Sequence, residues 1–154
     1  MPYRRVRCAH LAPLRAIISS KTTTMQIKIA HSLFIDETPG KGRGVFTRED
    51  IPPMKTIEIS SVLVMNADAR RLLDQTTLHD YIFEWGKNEE QCCVAWGYVS
   101  MYNHSYEANC EYFMDFEEST ITVKTVRKVL QGEELTINYN GDWNDEKPVW
   151  FDTV

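Results

Sequence analysis

The chain has 154 residues, 43% of them apolar and 25% charged, with a formal net charge of −5, the size and balance of one globular domain with a single core. It holds no apolar run near the ~20 residues needed to span a bilayer, so no membrane role is expected. Its cysteines, Cys8, Cys92, Cys93 and Cys110, form no C-x-x-C pair of the zinc-binding kind. Adjacent Cys92 and Cys93 are poor partners for one another, which points to a reducing, intracellular compartment.

Charge is distributed unevenly. Residues 1–24 carry Arg4, Arg5, Arg7, Arg15 and Lys21 and no acid, leaving 12 basic against 22 acidic residues beyond, a net of −10. This basic stretch ends in Ser19-Ser20-Lys21-Thr22-Thr23-Thr24. It fits a cleavable transit peptide, an extension upstream of a start at Met25, or a tail that docks on the domain. The expected organisation is therefore a basic N-terminal extension over 1–24 and one domain over 25–154. The location is expected to be cytoplasmic or nuclear, or organellar if the extension is a transit peptide. A domain so acidic repels nucleic acid phosphates and suits a basic protein or peptide; the same acidity also serves solubility.

From Met25 the pattern is strand-like, with Ile27, Ile29 and Leu33 to Ile35 as short apolar pieces. Pro39 to Gly44 is a dense turn signal, and Val45-Phe46 opens a strand. Thr56 to Met65, rich in Ile, Val and Ser, predicts a longer strand. Ala67 to Asp74 is the one clear helix, capped by Asn66 or Asp68. Tyr81, Phe83 and Trp85 alternate with Ile82 and Glu84, so Leu78 to Trp85 reads as a strand, and Cys92 to Tyr98 as another. Glu111 to Phe116 and Thr120 to Val126 form a hairpin around Glu117-Glu118-Ser119, its second arm alternating Ile121, Val123, Thr125 against Thr122, Lys124, Val126. Leu135 to Tyr139 predicts the last strand. The fold class is mostly β with a minor α component.

Three stretches carry the functional reading. Lys41-Gly42-Arg43-Gly44-Val45-Phe46 has two glycines that free the backbone for positive φ and close approach to a ligand; alone, it reads first as a plain hairpin turn. Tyr102-Asn103-His104-Ser105-Tyr106-Glu107-Ala108-Asn109-Cys110 is too polar for a core strand and too poor in charge for a solvated loop. Gly132-Glu133-Glu134-Leu135-Thr136-Ile137-Asn138-Tyr139 ends in a Tyr that by itself is a packing aromatic.

In this order, and with the aromatic Trp150 after them, these stretches resemble the SET domain family of S-adenosylmethionine-dependent protein-lysine methyltransferases, over about residues 27 to 152. The resemblance implies small sheets around a C-terminal pseudoknot that brings Asn103, His104 and Tyr139 together. It implies that Lys41, Gly42, Arg43 and Gly44 hold the methionine end of S-adenosylmethionine, with Arg43 or Lys41 pairing its carboxylate. Asn103 would bond the amino-acid end, the His104 backbone would read the adenine edge, and Trp150 would stack on the adenine or else plug the sheet. Tyr139 is the main catalytic candidate and Tyr112 lines the lysine channel, with Trp85, Tyr98 and Trp143 as further wall candidates. Asn109 is implied to brace the knot. The expected substrate is a lysine-containing basic peptide laid as a strand along an acidic groove, with Glu111, Asp115, Glu117 and Glu118 as candidate acids, and mono-methylation is the favoured outcome.

The chain departs from the pattern at Tyr106, where many relatives have a Cys that shares a zinc with later cysteines, and at Ala108 and Asn138, where Pro and Asp are usual. No metal is called for. The alternative reading is a non-catalytic peptide-binding module on the same fold.

Overall fold

Strand-forming residues dominate from Ile27 onwards, and hydrogen-bond pairing gathers them into two sheets. The computed structural model describes residues 27–86 and 88–149; the extension 1–24 and Trp150 lie outside them. The ten strands are β1 Ile27–Ile29, β2 Leu33–Thr38, β3 Gly42–Thr47, β4 Thr56–Met65, β5 Ile82–Trp85, β6 Gln91–Ala95, β7 Asn103–His104, β8 Cys110–Asp115, β9 Thr120–Thr125 and β10 Glu134–Ile137. One α-helix, α1 (Ala67–Leu73), and two 3-10 helices, Thr77–Tyr81 and Val99–Met101, complete the described chain.

The larger sheet has the order β5-β6-β4-β9-β8, with β1 also on β4. β4 is its longest member, and its β-branched run is the reason: Ile57, Ile59, Val62 and Val64 suit a pleated, half-buried surface. Period-2 alternation is clearest in β9, where Ile121, Val123 and Thr125 are fully buried and Thr120, Thr122 and Lys124 are not. The second sheet runs β2-β3-β10-β7. β2 and β3 form a hairpin, with Thr38 opposite Gly42 and Asp36 opposite Gly44. The glycine-rich stretch is therefore mostly strand, its turn confined to Pro39–Lys41, because both glycines are recruited into the ladder.

β10 lies between β3, to which it is antiparallel, and β7, to which it is parallel. Leu135 and Ile137 point from it into the core with Val45, Val99, Tyr102 and Val129, all of them buried; each such side chain contributes roughly 1.5–3 kcal/mol by leaving water. α1 starts at Asn66, whose side chain accepts from the Ala69 N–H at 2.9 Å. The helix buries no residue. The alternation over Leu78–Trp85 is only half strand: Thr76 caps a 3-10 helix by accepting from the Leu78 N–H, and the strand begins at Ile82.

Candidate active site

β10 is the organiser of the site. On one flank it meets the Gly-rich strand β3, and on the other Asn103-His104 in β7, with Thr136 opposite Asn103 and Ile137 opposite His104. Asn109 fastens this arrangement. Its Nδ2 donates to the Glu134 carbonyl at 2.7 Å and to Glu133 Oε1 at 3.1 Å, and its Oδ1 accepts from the Thr136 N–H at 2.9 Å. It is 2% exposed. A buried Asn that satisfies both a carbonyl and an amide of one strand acts as a side-chain substitute for a ladder partner.

On the β3 side, Gly44 is buried against side chains that leave no room for a Cβ: one would stand 2.2 Å from Glu134 Oε1, 2.6 Å from Thr38 Oγ1 and 2.9 Å from Asn103 Nδ2. Glu134 Oε1 accepts from both Asn103 Nδ2 at 2.7 Å and Thr38 Oγ1 at 2.8 Å, and Asn103 Nδ2 also reaches the Arg43 carbonyl at 3.3 Å. Carboxylate and carbonyl oxygens only accept. The Asn103 amide is thus oriented, its nitrogen turned to Glu134 and the Arg43 carbonyl. Lys41 Nζ donates to the His104 carbonyl at 3.3 Å. Gly42, with φ +81 and open space where a Cβ would lie, and the exposed Arg43 complete this corner.

Tyr139 follows β10 closely. Its N–H donates to His104 Nδ1 at 3.2 Å, and its hydroxyl to the Tyr102 carbonyl at 2.9 Å. His104 therefore accepts at Nδ1, as a neutral imidazole does. Burial, and then the nearby Lys41 charge, lower its pKa from 6.5, which favours that form. The rings of His104 and Tyr139 lie 5.3 Å apart, and Tyr106 meets His104 edge-on at 4.5 Å. Tyr106, the residue that replaces the usual Cys, serves as a tether. Its hydroxyl accepts from the Val149 N–H at 3.2 Å and so ties the C-terminal segment to the loop after β7.

A cavity of about 650 Å³ opens on the far side of Tyr139. Tyr139, Tyr112, Tyr102, Tyr81, Phe83 and Phe116 supply its aromatic walls, and Asp74, Asp80, Glu84 and Glu89 its acidic groups. Phe83 and Tyr112 meet edge-on with centroids 5.6 Å apart. Burial pushes both the Tyr112 and the Tyr139 phenol up to about 12, so both are neutral hydrogen-bonding groups at physiological pH.

Several expectations change. Trp85, Tyr98 and Trp143 do not line the cavity. Trp85 is buried behind it against Phe116, Tyr98 leads the 3-10 helix Val99–Met101, and Trp143 is on the surface. The acids Glu111, Asp115, Glu117 and Glu118 are likewise elsewhere; the acidic lining comes from the segment just after α1, the first 3-10 helix, β5 and the turn after it. Tyr81, Phe83 and Phe116 are the wall residues sequence reasoning missed. Their aromatic character was plain, but their convergence on one cavity is tertiary: Phe83 stands on β5 paired with β6, Tyr81 ends the 3-10 helix before it, and Phe116 is in the turn after β8. None of Lys41, Gly42, Arg43, Gly44, Asn103 and His104 borders the cavity. They form a separate corner, joined to it through Tyr139.

The parallel insertion of β10 beside Asn-His, the Gly-rich hairpin on its other edge and the terminal Tyr define a class, and residues 42–140 match it: the chain belongs to the SET domain family of protein-lysine methyltransferases. Among individual relatives, it is 35% identical over 130 residues to the histone-lysine N-methyltransferase of Schizosaccharomyces pombe specific for H3 lysine 37, covering 83% of each chain. In fold it is similar to a candidate histone methyltransferase of Plasmodium falciparum, with a TM-score of 0.57 at 23% identity over 75% of this chain and 98% of that one. It is also similar to a chain of the active polycomb repressive complex 2 in its basal state, with a TM-score of 0.59 at 20% identity over 71% of this chain and 15% of that one. SET methyltransferases generally take the methyl group from S-adenosylmethionine.

Proposed function

We propose that this methyltransferase transfers a methyl group from S-adenosylmethionine to the ε-amine of a lysine in a basic, histone-like tail, with Tyr139 at the point of transfer. The observation that carries this reading is the double role of Tyr139: it bonds the Asn-His segment on one side and borders the aromatic cavity on the other.

The corner of Lys41, Gly42, Arg43, Gly44, Asn103 and His104 suits the methyl donor. The fixed Asn103 oxygen is an acceptor for its ammonium, and Lys41 or Arg43 a cation for its carboxylate. S-adenosylmethionine supplies an electrophilic methyl group when bound. The protein's part is to bring a neutral amine to it in line. Free lysine has a pKa near ~10.4, and a channel walled by Tyr81, Phe83, Tyr112 and Tyr139 disfavours the charged form by desolvation while fixing the approach. The Tyr139 hydroxyl, its proton committed to the Tyr102 carbonyl, presents its oxygen lone pairs to the polarised methyl. The Tyr112 hydroxyl, hydrogen-bonded to the amine or a water beside it, leaves little room for further methyl groups and favours mono-methylation.

β5 pairs only with β6 among the described residues, so its other edge is open beside the cavity and suits an added substrate strand. Histone H3 is the first substrate to test, by analogy with the S. pombe relative, and a histone substrate would make the protein nuclear. No helix among the described residues is long and apolar enough to cross a membrane, and the acidic domain disfavours direct nucleic acid contact.

The test is calorimetric binding of S-adenosylmethionine to wild type, Asn103→Ala and Tyr139→Phe, followed by mass spectrometry of histone H3 incubated with each. Binding lost in Asn103→Ala but kept in Tyr139→Phe, with a single 14 Da addition on an H3 lysine made only by proteins with both residues, is expected. A folded wild-type protein that binds no S-adenosylmethionine would sink the reading.

A further inference from the structure

Glu58 sits on β4 at 1% exposure, in the interior beside Ile57. Burial is the leading influence on its carboxyl and raises its pKa. A carboxylate without a cation in such a place is costly unless its lone pairs are filled. They are filled in a particular way. Ser60 Oγ donates to Oε1 at 2.9 Å, the Tyr98 N–H to Oε1 at 2.7 Å, the Tyr102 hydroxyl to Oε2 at 3.0 Å, and the Val99 N–H also donates. Three of the four donors thus belong to one segment, Tyr98 to Tyr102, which carries the 3-10 helix and runs straight into Asn103-His104.

Gly97 shows how little slack there is. Its φ is +77, and a Cβ there would stand 2.4 Å from Glu58 Oε1 and 2.8 Å from Ser60 Oγ. The backbone rests directly on the carboxylate. Tyr102 is then held at both ends: its hydroxyl by Glu58 and its carbonyl by the Tyr139 hydroxyl at 2.9 Å.

We propose that Glu58 is a positioning residue for the methyl transfer, fixing the Tyr139 hydroxyl through Tyr102. The carboxylate locks the Tyr102 ring, and the locked residue presents its carbonyl at the one place that aims the Tyr139 hydroxyl into the cavity. A hydrophobic residue at position 58 would fill the same space but leave the segment's N–H groups and the Tyr102 hydroxyl without an acceptor. This inference rests on the reading of Tyr139 as the group at the point of transfer.

The experiment uses the full chain, with S-adenosylmethionine and histone H3 as substrates, and compares Glu58→Gln, Tyr102→Phe, Tyr139→Phe and the doubles of the first two with the third. Glu58→Gln keeps the shape and loses the charge; Tyr102→Phe cuts the link from its other side and guards against a folding defect in the first. Each single variant is expected to lower kcat roughly ten- to a hundredfold, with S-adenosylmethionine affinity within twofold of wild type. Neither double is expected to fall below Tyr139→Phe alone. A merely structural role would instead add its loss to that of Tyr139→Phe.

A second readout needs no turnover. With tyrosine labelled at the ζ-carbon, the Tyr139 resonance, identified by its loss in Tyr139→Phe, is expected to shift in both Glu58→Gln and Tyr102→Phe. Folded variants with unmoved Tyr139 resonance overturn the proposal, as does wild-type kcat in Glu58→Gln or Tyr102→Phe while Tyr139→Phe is impaired. Wild-type kcat in Tyr139→Phe itself would overturn the reading beneath it, a distinct outcome.

Discussion

Gly44 shows how one missing atom group can carry a site. With three polar side-chain atoms within 3 Å of where its Cβ would be, even an alanine must push Glu134, Thr38 and Asn103 apart. The bonds broken are those that orient the Asn103 amide. Gly44→Ala is therefore expected to weaken S-adenosylmethionine binding by at least about tenfold, corresponding to ~1.4 kcal/mol. Calorimetry checks this, with circular dichroism to show that the strands survive. Gly44 and Asn103 were both candidates from the sequence, and the structure brings them together beside Glu134; the reason for the glycine was not legible. Sequence reasoning assigned it to a turn that cradles a ligand, whereas it is a strand residue whose neighbours are protein side chains brought from Thr38 and Glu134. Glu58 was missed for the opposite reason. An acid in the β-branched run of β4 is a visible anomaly, but its partners are set by tertiary packing.

At the scale of elements, the local signals served well where structure is local. Thr56–Met65 is a strand because its residues favour one, and α1 starts at Asn66 because that side chain caps it. The Leu78–Trp85 segment was misjudged at its start, since alternation over so few residues does not separate a strand from a 3-10 turn capped by Thr76. That turn lines the cavity through His79, Asp80 and Tyr81. Arg70 pairs with Glu84 and lies 3.9 Å from Asp74, whereas no such pair involves Asp80 among the described residues. Asp80 is close enough to Tyr139 to raise its pKa, after burial and Tyr81. Asp80→Asn is expected to raise KM for a basic peptide several-fold, leave kcat near wild type, and lose its effect as salt rises; steady-state kinetics at two ionic strengths decide. Asn109 is the corresponding structural position. Asn109→Ala strips acceptor and donor from β10 and should cost roughly 2–4 kcal/mol, read as a lower urea midpoint with unchanged slope.

Taken as a whole, the molecule buries several weak acids in their neutral forms. Burial pushes Cys93 to about 12 and Tyr112 and Tyr139 to about 12, and raises Cys110 and Tyr102 as well. In each case the folded state holds its proton more tightly than the unfolded chain, whose thiols and phenols ionise near 9.0 and 10.0. Stability is thus fully present below those values and lost as pH climbs past them towards the folded-state values. Urea midpoints at about pH 8 and about pH 10.5 should show the later one well lower, on the order of 1 kcal/mol per group for each pH unit. Cys93→Ala and Tyr112→Phe, combined, should flatten the decline. An equal midpoint at both pH values would mean that these groups are exposed in solution.

The place of β10 has a consequence for how the enzyme comes into being. Its neighbours β3 and β7 are laid down long before it, and Thr38 and Glu134, which meet at the Gly44 corner, are 96 positions apart in the chain. Such distant partners make folding slow and late. A nascent chain made only as far as residue 130 has the Gly-rich hairpin and the Asn-His segment, yet no strand to join them and no Tyr139. The second sheet can therefore close only once β10 has been made, and a product of interrupted translation that stops before Glu134 holds the β2-β3 hairpin and the Asn103-His104 segment with no strand between them.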